Sequence, residues 1–282
     1  MSASDVAVRS GLQRGWIEFR NSLRAPEDLM YYVFLNGVLA LVLYLNRNNM
    51  IEDADISVAH FIVPNALAMM VVFGAAYGLA TAVTTEREDG TLLRAKSVPH
   101  GMRGYVVGQS ARVTYETVFG SAIILIAATV LIDGLWHRGI LGLLGVIGLI
   151  VLGLLACAPI GFVLGSIFKN PRSVGGWGMV VIGALVYASG IFSTGGLPRW
   201  VEVVGQLFPL HWLAAGMRAA LLPDWAATLE PGGEWRVWQA VAVLAVWTVI
   251  GLVLAPRLLQ RMARRESGSA VAARRDKALT RV

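Results

Sequence analysis

Long apolar runs constrain this chain more than any other feature. A helix that crosses a bilayer needs about 20 mostly apolar residues. Residues 29–45, 61–83, 140–168, 174–192 and 237–255 each read as such a helix. A sixth run, 117–132, is short in its purely apolar part and becomes long enough if its helix begins upstream, near Tyr105. Run 140–168 is too long for one straight crossing. Pro159 lies inside it, and no polar residue nearby offers a turn, so it reads as one kinked span. The expected fold class is therefore an all-α membrane protein with six transmembrane helices.

Charge is scarce for the same reason. Only 15% of the residues are charged and 56% are hydrophobic, where a soluble domain has about 25% and about 45–50%. A net charge of +6 would suggest nucleic acid as the partner of a soluble protein. Here the basic residues flank apolar spans, so membrane lipid headgroups are the partner and nucleic acid is not. Cys157 is the single cysteine and lies in an apolar run, which excludes an intrachain disulfide. The histidines at 60, 100, 137 and 211 lack metal-ligand spacing, so no metal site is expected.

Lysine and arginine fix the expected orientation. With six spans, one side carries eighteen of them, in the N-terminal segment, the 84–104 loop, Lys169, Arg172 and the tail. The other side carries five, and Arg112 remains inside the third helix. The positive-inside rule then places both termini in the cytoplasm. Residues 1–28 are mixed and charged, the first apolar run starts only at Leu29, and Asn46-Arg47-Asn48-Asn49 follows it without a small-residue cleavage site, so the first helix reads as retained rather than as a signal peptide.

The chain divides into three parts. In residues 1–28, Val8, Leu12, Trp16, Phe19 and Leu23 recur at spacings of three and four, with arginines elsewhere, as in an amphipathic helix lying on the inner surface. Residues 29–256 form the six-span body. Within it, the outer segment 195–236 carries an apolar stretch broken by Pro209, His211 and Arg218, which suits re-entrant helices. Residues 257–282 form a basic cytoplasmic tail.

The 84–104 loop is too charged and too patterned for a plain hairpin. It reads Glu86-Arg87-Glu88-Asp89-Gly90-Thr91-Leu92, then continues to Pro99. A soluble partner could dock on it, although a charge cluster anchoring helix ends has the same composition.

These residues, followed by Gly108, resemble the coupling loop of type-2 ABC exporter permeases, with the daunorubicin-resistance type as the nearest group. A second likeness lies in the outer segment: Phe192, then Leu197-Pro198-Arg199-Trp200, then Phe208-Pro209-Leu210-His211-Trp212 and Met217-Arg218. The family usually places a proline soon after the residue matching Phe192, where this chain has Ser193 and Thr194. The resemblance covers essentially the whole chain. It implies a transmembrane half-transporter working with a second permease chain, identical or paralogous, and with a separate ABC ATPase subunit. That subunit would bind ATP and magnesium, and this chain would bind no cofactor. Glu86, Arg87, Glu88, Gly90, Thr91, Leu92 and Pro99 would couple to the ATPase. Leu197, Pro198, Phe208 and Pro209 would close the outer exit. The setting implied is a bacterial plasma membrane.

An ATP-binding P-loop needs a lysine after a glycine, so that the backbone cradles phosphate and the ammonium neutralises it. Lys96, Lys169 and Lys277 are the only lysines, and none follows a glycine. No catalytic residue is expected here.

On the second span, Asn65, Met69, Phe73 and Tyr77 recur every four residues. The fifth adds Trp177 and Phe192. A thioether adapts in shape, aromatics stack, and an amide orients, so such a surface suits an amphiphilic small-molecule cargo: a drug, an antibiotic or a lipid. Helix packing is the competing explanation, least so for Asn65, because an amide does not readily face lipid. Arg112 and Glu116 are spaced for an ion pair one helical turn apart. Gly161 and Gly165 form a G-x-x-x-G that permits close helix packing. The functional expectation is an ATP-driven exporter permease. Its rival is an ATP-independent secondary transporter or a membrane-bound enzyme.

Overall fold

The structure is a computed structural model that describes residues 3–51, 56–168, 170–191, 198–230 and 232–265. It is all-α: among the described residues there are no strands, only an isolated bridge between Met50 and Ser57. Phe192 and Leu197, assigned above to the pathway and the outer exit, lie outside the described residues, as do Lys169 and the end of the tail.

Helix α1, Ala3–Ser22, precedes a tight turn. Pro26 then opens α2, Pro26–Asn46, where its missing N–H costs nothing, and Glu27 and Asp28 complement the positive end of the helix. Only Asn36 and Leu43 are buried on α2, so this span is peripheral. Helix α3, Val58–Glu88, is capped by Ser57, whose backbone N–H donates to His60 Nδ1 at 3.2 Å. A π-turn over Phe73–Gly78 interrupts its regular winding. Gly90, at φ 81, terminates the run. The short α4, Thr91–Lys96, follows.

Helix α5, Gly101–Leu131, begins four residues before Tyr105, so the third span is 31 residues long rather than marginal. Helix α6, Gly139–Ile167, is one helix with Pro159 inside it. That ring packs on Gly251 of the last helix, where an added Cβ would stand 2.2 Å from Pro159 Cγ. Gly161 and Gly165 lie against Ala75 and Val83 of α3, so the G-x-x-x-G seats one span on another.

Among the described residues, five helices are long and apolar enough to cross a membrane: α2, α3, α5, α6 and the start of α10, Val237–Arg265. The expected fifth span, 174–192, differs. Its helix, α7, runs over 171–188, eighteen residues or about 27 Å. Asn170 caps its start by accepting from the Ser173 N–H at 2.8 Å, and Gly190, at φ 74, stops it. It is thus shorter than the other five.

Segment 195–236, expected above to lie outside, contains α8, Arg199–Gln206, and α9, Pro209–Leu221, followed by a 3-10 turn, Asp224–Leu229. Helix α9 is buried over nearly its whole length, packed against α3, α6 and α10. Glycines allow this: Gly142 faces the Ala220 carbonyl, and Gly153 faces Leu213. A helix too short to span the bilayer is therefore part of the core.

Candidate functional site: a cleft above an ionic hub

Helices α2, α3 and α5 enclose a cleft of about 570 Å³. Its apolar walls come from Tyr31, Tyr32 and Leu35 on α2 and Met70, Phe73 and Tyr77 on α3, with Met179 of α7 beside them. The Phe73 and Tyr77 ring centres are 6.3 Å apart, both within the π-turn. Residues four apart lie on the same face of a helix, so both rings face one space. The other end of the cleft is polar, lined by Thr81, Glu86, Gln109, Arg112 and Glu116.

That polar end is the rim of a larger network joining three helices. Arg14 donates to Glu18 at 2.6 Å and to Glu86. Gln109 donates to Glu86 at 3.0 Å and to Glu18 at 3.5 Å. Arg112 donates to Glu116 at 2.7 Å, the ion pair that the spacing suggests, and approaches Glu18 at 4.0 Å. The Tyr105 hydroxyl is buried beside Glu86 and points to its carboxylate. Low local dielectric makes such a network strong when satisfied and costly when broken.

The network can form because α1 lies almost backbone to backbone on α5. A Cβ on Gly15 would stand 2.5 Å from the Gly108 carbonyl oxygen, and one on Gly11 would stand 2.4 Å from that of Gly104. Beyond the glycines, Trp16 and Phe19 join Tyr115 and Phe119 in an aromatic cluster with ring centres 5.4–5.9 Å apart. Trp16 and Leu12 also keep about half of their surface exposed, as an interfacial helix requires.

The loop after α3 is fastened inward. Arg87 donates to the Phe168 carbonyl at 2.9 Å and the Gly165 carbonyl at 3.2 Å, closing the free end of α6. Leu92 is buried at 1% exposure, and the Asp89 carboxylate accepts from the Thr91 N–H at 2.8 Å. Glu88 and Thr91 are half-buried, Gly90 is the turn, and Pro99 is exposed. The outward surface of the loop consists of Asp89, Arg94, Lys96 and 97–100.

The four-residue stripe on α3 divides. Phe73 and Tyr77 line the cleft. Met69 packs against the core, and Asn65 lies about 12 Å further along the helix. There Asn65 donates to the Ile191 carbonyl at 3.1 Å and accepts from Arg218 at 2.7 Å. Arg218 is also held by both carboxylate oxygens of Glu230, and the pair is buried at 8% and 9% exposure. Trp177 is 71% exposed on α7, away from the cleft. Of the outer-exit residues, Pro198 precedes α8, Pro209 opens α9 within the core, and Phe208 stacks on Trp247 at 6.0 Å.

Sequence reading did not single out Arg14, Glu18, Gln109 or Glu230. One signal was available. Gln109, Arg112 and Glu116 follow at spacings of three and four, which puts an amide and two charges on one face of a span.

Residues 44–256 match the family described as ABC-2 family transporter protein. No curated protein matches the chain.

Proposed function

The chain belongs to the ABC-2 transporter family, and from that premise we propose that it is the membrane-spanning permease of an ATP-driven exporter. A separate ATPase subunit hydrolyses ATP with magnesium, and a second permease chain completes the pathway. The cargo is an amphiphilic small molecule taken from the cytoplasm or the inner leaflet of a bacterial plasma membrane, with both termini cytoplasmic. Within the family we place it, on its loop and 192–218 motifs, with the daunorubicin-resistance type.

The observation that carries this reading is the cleft. It has aromatic walls at one end and a charged floor at the other, so it offers separate surfaces to the two ends of an amphiphile. The floor shares Glu86 with the interfacial helix, and the exposed face of the loop that would meet the ATPase begins three residues on, at Asp89. Motion of the loop would therefore act on the cleft through contacts two side chains long. In this scheme Glu86 and Arg87 transmit force from within, and the exposed residues from Asp89 to Pro99 form the docking face. The Asn65 and Arg218 contact, with Pro198, Phe208 and Pro209, holds the outer side closed.

The test is to purify the chain from its host membranes, look for a copurifying P-loop ATPase, identify bound small molecules by mass spectrometry, and reconstitute the material in liposomes. ATP-dependent outward movement of the recovered molecule, lost in Phe73→Ala/Tyr77→Ala, is expected. A chain that copurifies with no ATPase and moves the molecule without ATP belongs to the rival class of ATP-independent transporters.

A further inference from the structure

One face of α10 joins two different surfaces. Ile250, Leu254, Arg257, Arg261 and Arg264 follow at spacings of four and three, so they lie in one line along the helix. Ile250 and Leu254 line a chamber away from the cleft, and the three arginines beyond them are exposed.

The chamber holds about 350 Å³ between α3, α6, α7, α9 and α10, and its walls present only apolar surface. The indole N–H of Trp247, in that wall, is already spent on the Leu207 carbonyl at 2.9 Å. Water needs two to four polar partners and finds none here. Left empty, the space would forfeit the packing contacts of its whole lining. The rings of Phe208 and Trp247 stack 6.0 Å apart and close one end. The side is open. Val181 of α7 and Ile250 and Leu254 of α10 keep 42–46% of their surface exposed, while α10 packs on α6 and α9. The mouth therefore faces the bilayer between α7 and α10.

Dimensions choose the occupant. From Trp247 to Leu254 the helix rises about 10 Å, so the chamber is about 6–7 Å wide, too narrow for a helix of about 10–12 Å. From Trp247 to Arg257 the rise is about 15 Å, half of the roughly 30 Å hydrocarbon core. One acyl chain covers that depth, and its head group then meets the arginines. Helix α4, which carries Arg94 and Lys96, packs beside α10 and adds positive charge. A zwitterionic head would bring its own cation against these groups, whereas an anionic head brings only acceptors.

We infer that the chamber and the arginine line form one site for an anionic phospholipid of the leaflet at the C-terminal end of α10. One acyl chain lies in the chamber, and the phosphate rests on Arg257 and Arg261. The site is separate from the cleft: Val72 and Ala76 of α3 line the chamber, whereas Phe73 and Tyr77 line the cleft on another side of the same helix.

The probes are phosphatidylglycerol and phosphatidylcholine with identical chains, one chain tipped with a diazirine. Each is diluted equally into phosphatidylcholine nanodiscs that hold the full chain, and light-induced adducts are located by peptide mass spectrometry. The phosphatidylglycerol probe should label the closed end of the chamber, at Leu185, Phe208 and Trp247, about tenfold above the phosphatidylcholine probe. Arg257→Gln/Arg261→Gln should remove most of that preference, and Arg257→Lys/Arg261→Lys should keep it. Leu254→Trp, at the exposed rim, should block labelling of the chamber by both probes. Phe73→Ala/Tyr77→Ala should leave the labelling unchanged. Equal labelling by both probes, unmoved by the glutamine variant, overturns the anionic site and leaves ordinary bilayer lipid in the chamber. Labelling that misses the chamber, or that disappears in Phe73→Ala/Tyr77→Ala, overturns the chamber as a lipid site altogether.

Discussion

Arg218 donates to the Asn65 amide oxygen at 2.7 Å, tying the buried helix α9 to α3 across 153 positions of sequence. Glu230 grips the same guanidinium with both carboxylate oxygens, so the charge is neutralised where water is excluded. The backbone of Ile191 is held by the other end of the Asn65 amide. One amide and one ion pair therefore gather the second span, the end of α7, the outer helix and the turn after it.

Breaking this contact on one side should be worse than removing it altogether. Glu230→Leu leaves a buried guanidinium unpaired, a change that costs about 3–5 kcal/mol in comparable sites. The double variant Arg218→Met/Glu230→Leu should recover much of that loss. Thermal unfolding of the detergent-solubilised chain, followed by size-exclusion fluorescence, measures both. If the double variant unfolds at the temperature of Glu230→Leu or below it, the pair is not the source of the stability.

The hub around Glu86 should couple rather than merely dock. Glu86→Gln keeps the volume and an acceptor but removes the charge that holds Arg14, so the chain should still insert. Cargo-stimulated ATP hydrolysis should fall several-fold while basal hydrolysis stays. Reversal to Glu86→Lys would oppose two cations in a half-buried site. The exchange Arg14→Glu/Glu86→Arg should restore part of the stimulation. An exchange no better than the single reversal would assign the defect to something other than this pair.

Helix α1 should tolerate no side chain at its contact with α5. In Gly15→Val the branched carbon would meet the Gly108 carbonyl and the Ala111 side chain, each under 3.0 Å from an added Cβ. Overpacking of this kind costs about 1–3 kcal/mol. Expulsion of α1 should expose it to trypsin, with faster cutting at Arg9, Arg14 and Arg20 than in the parent chain. Unchanged protease resistance in Gly15→Val would mean that the contact is not tight in the membrane.

Much of this architecture is legible in sequence because the bilayer forces it to be. Apolar runs report spans, Pro26 and Gly90 report helix ends, and the Arg112–Glu116 spacing reports an ion pair. The π-turn at Phe73–Gly78 is invisible to pattern, because it depends on how α3 meets α5 and α6. The hub is hidden for a related reason. Arg14 and Glu18 read as the polar face of a surface helix, and only the glycine contact at Gly15 and Gly108 brings them to Glu86, some seventy positions away. For Asn65, the argument that an amide avoids lipid is sound, but pattern cannot say that its partner is Arg218.

The cleft itself can be mapped by chemistry. Single cysteines at Phe73 and Tyr77 in a Cys157→Ala background should react with a small hydrophilic thiol reagent, since thiolate forms beside water and poorly in lipid or packed protein. Cysteines at Leu67 and Val71 should react little, because both side chains have 0% exposure in the core between helices. A cysteine at Asn65 should also react slowly, because its position is occupied by the contact with Arg218. That pattern differs from a continuous wet stripe along the helix, in which positions 65, 69, 73 and 77 would label alike. Adding ATP with the ATPase should change labelling at 73 and 77, and it should raise labelling at 65 only in a state with the outer side open. Uniform labelling of all four positions in the resting state would restore the single stripe and remove the division between cleft and outer contact.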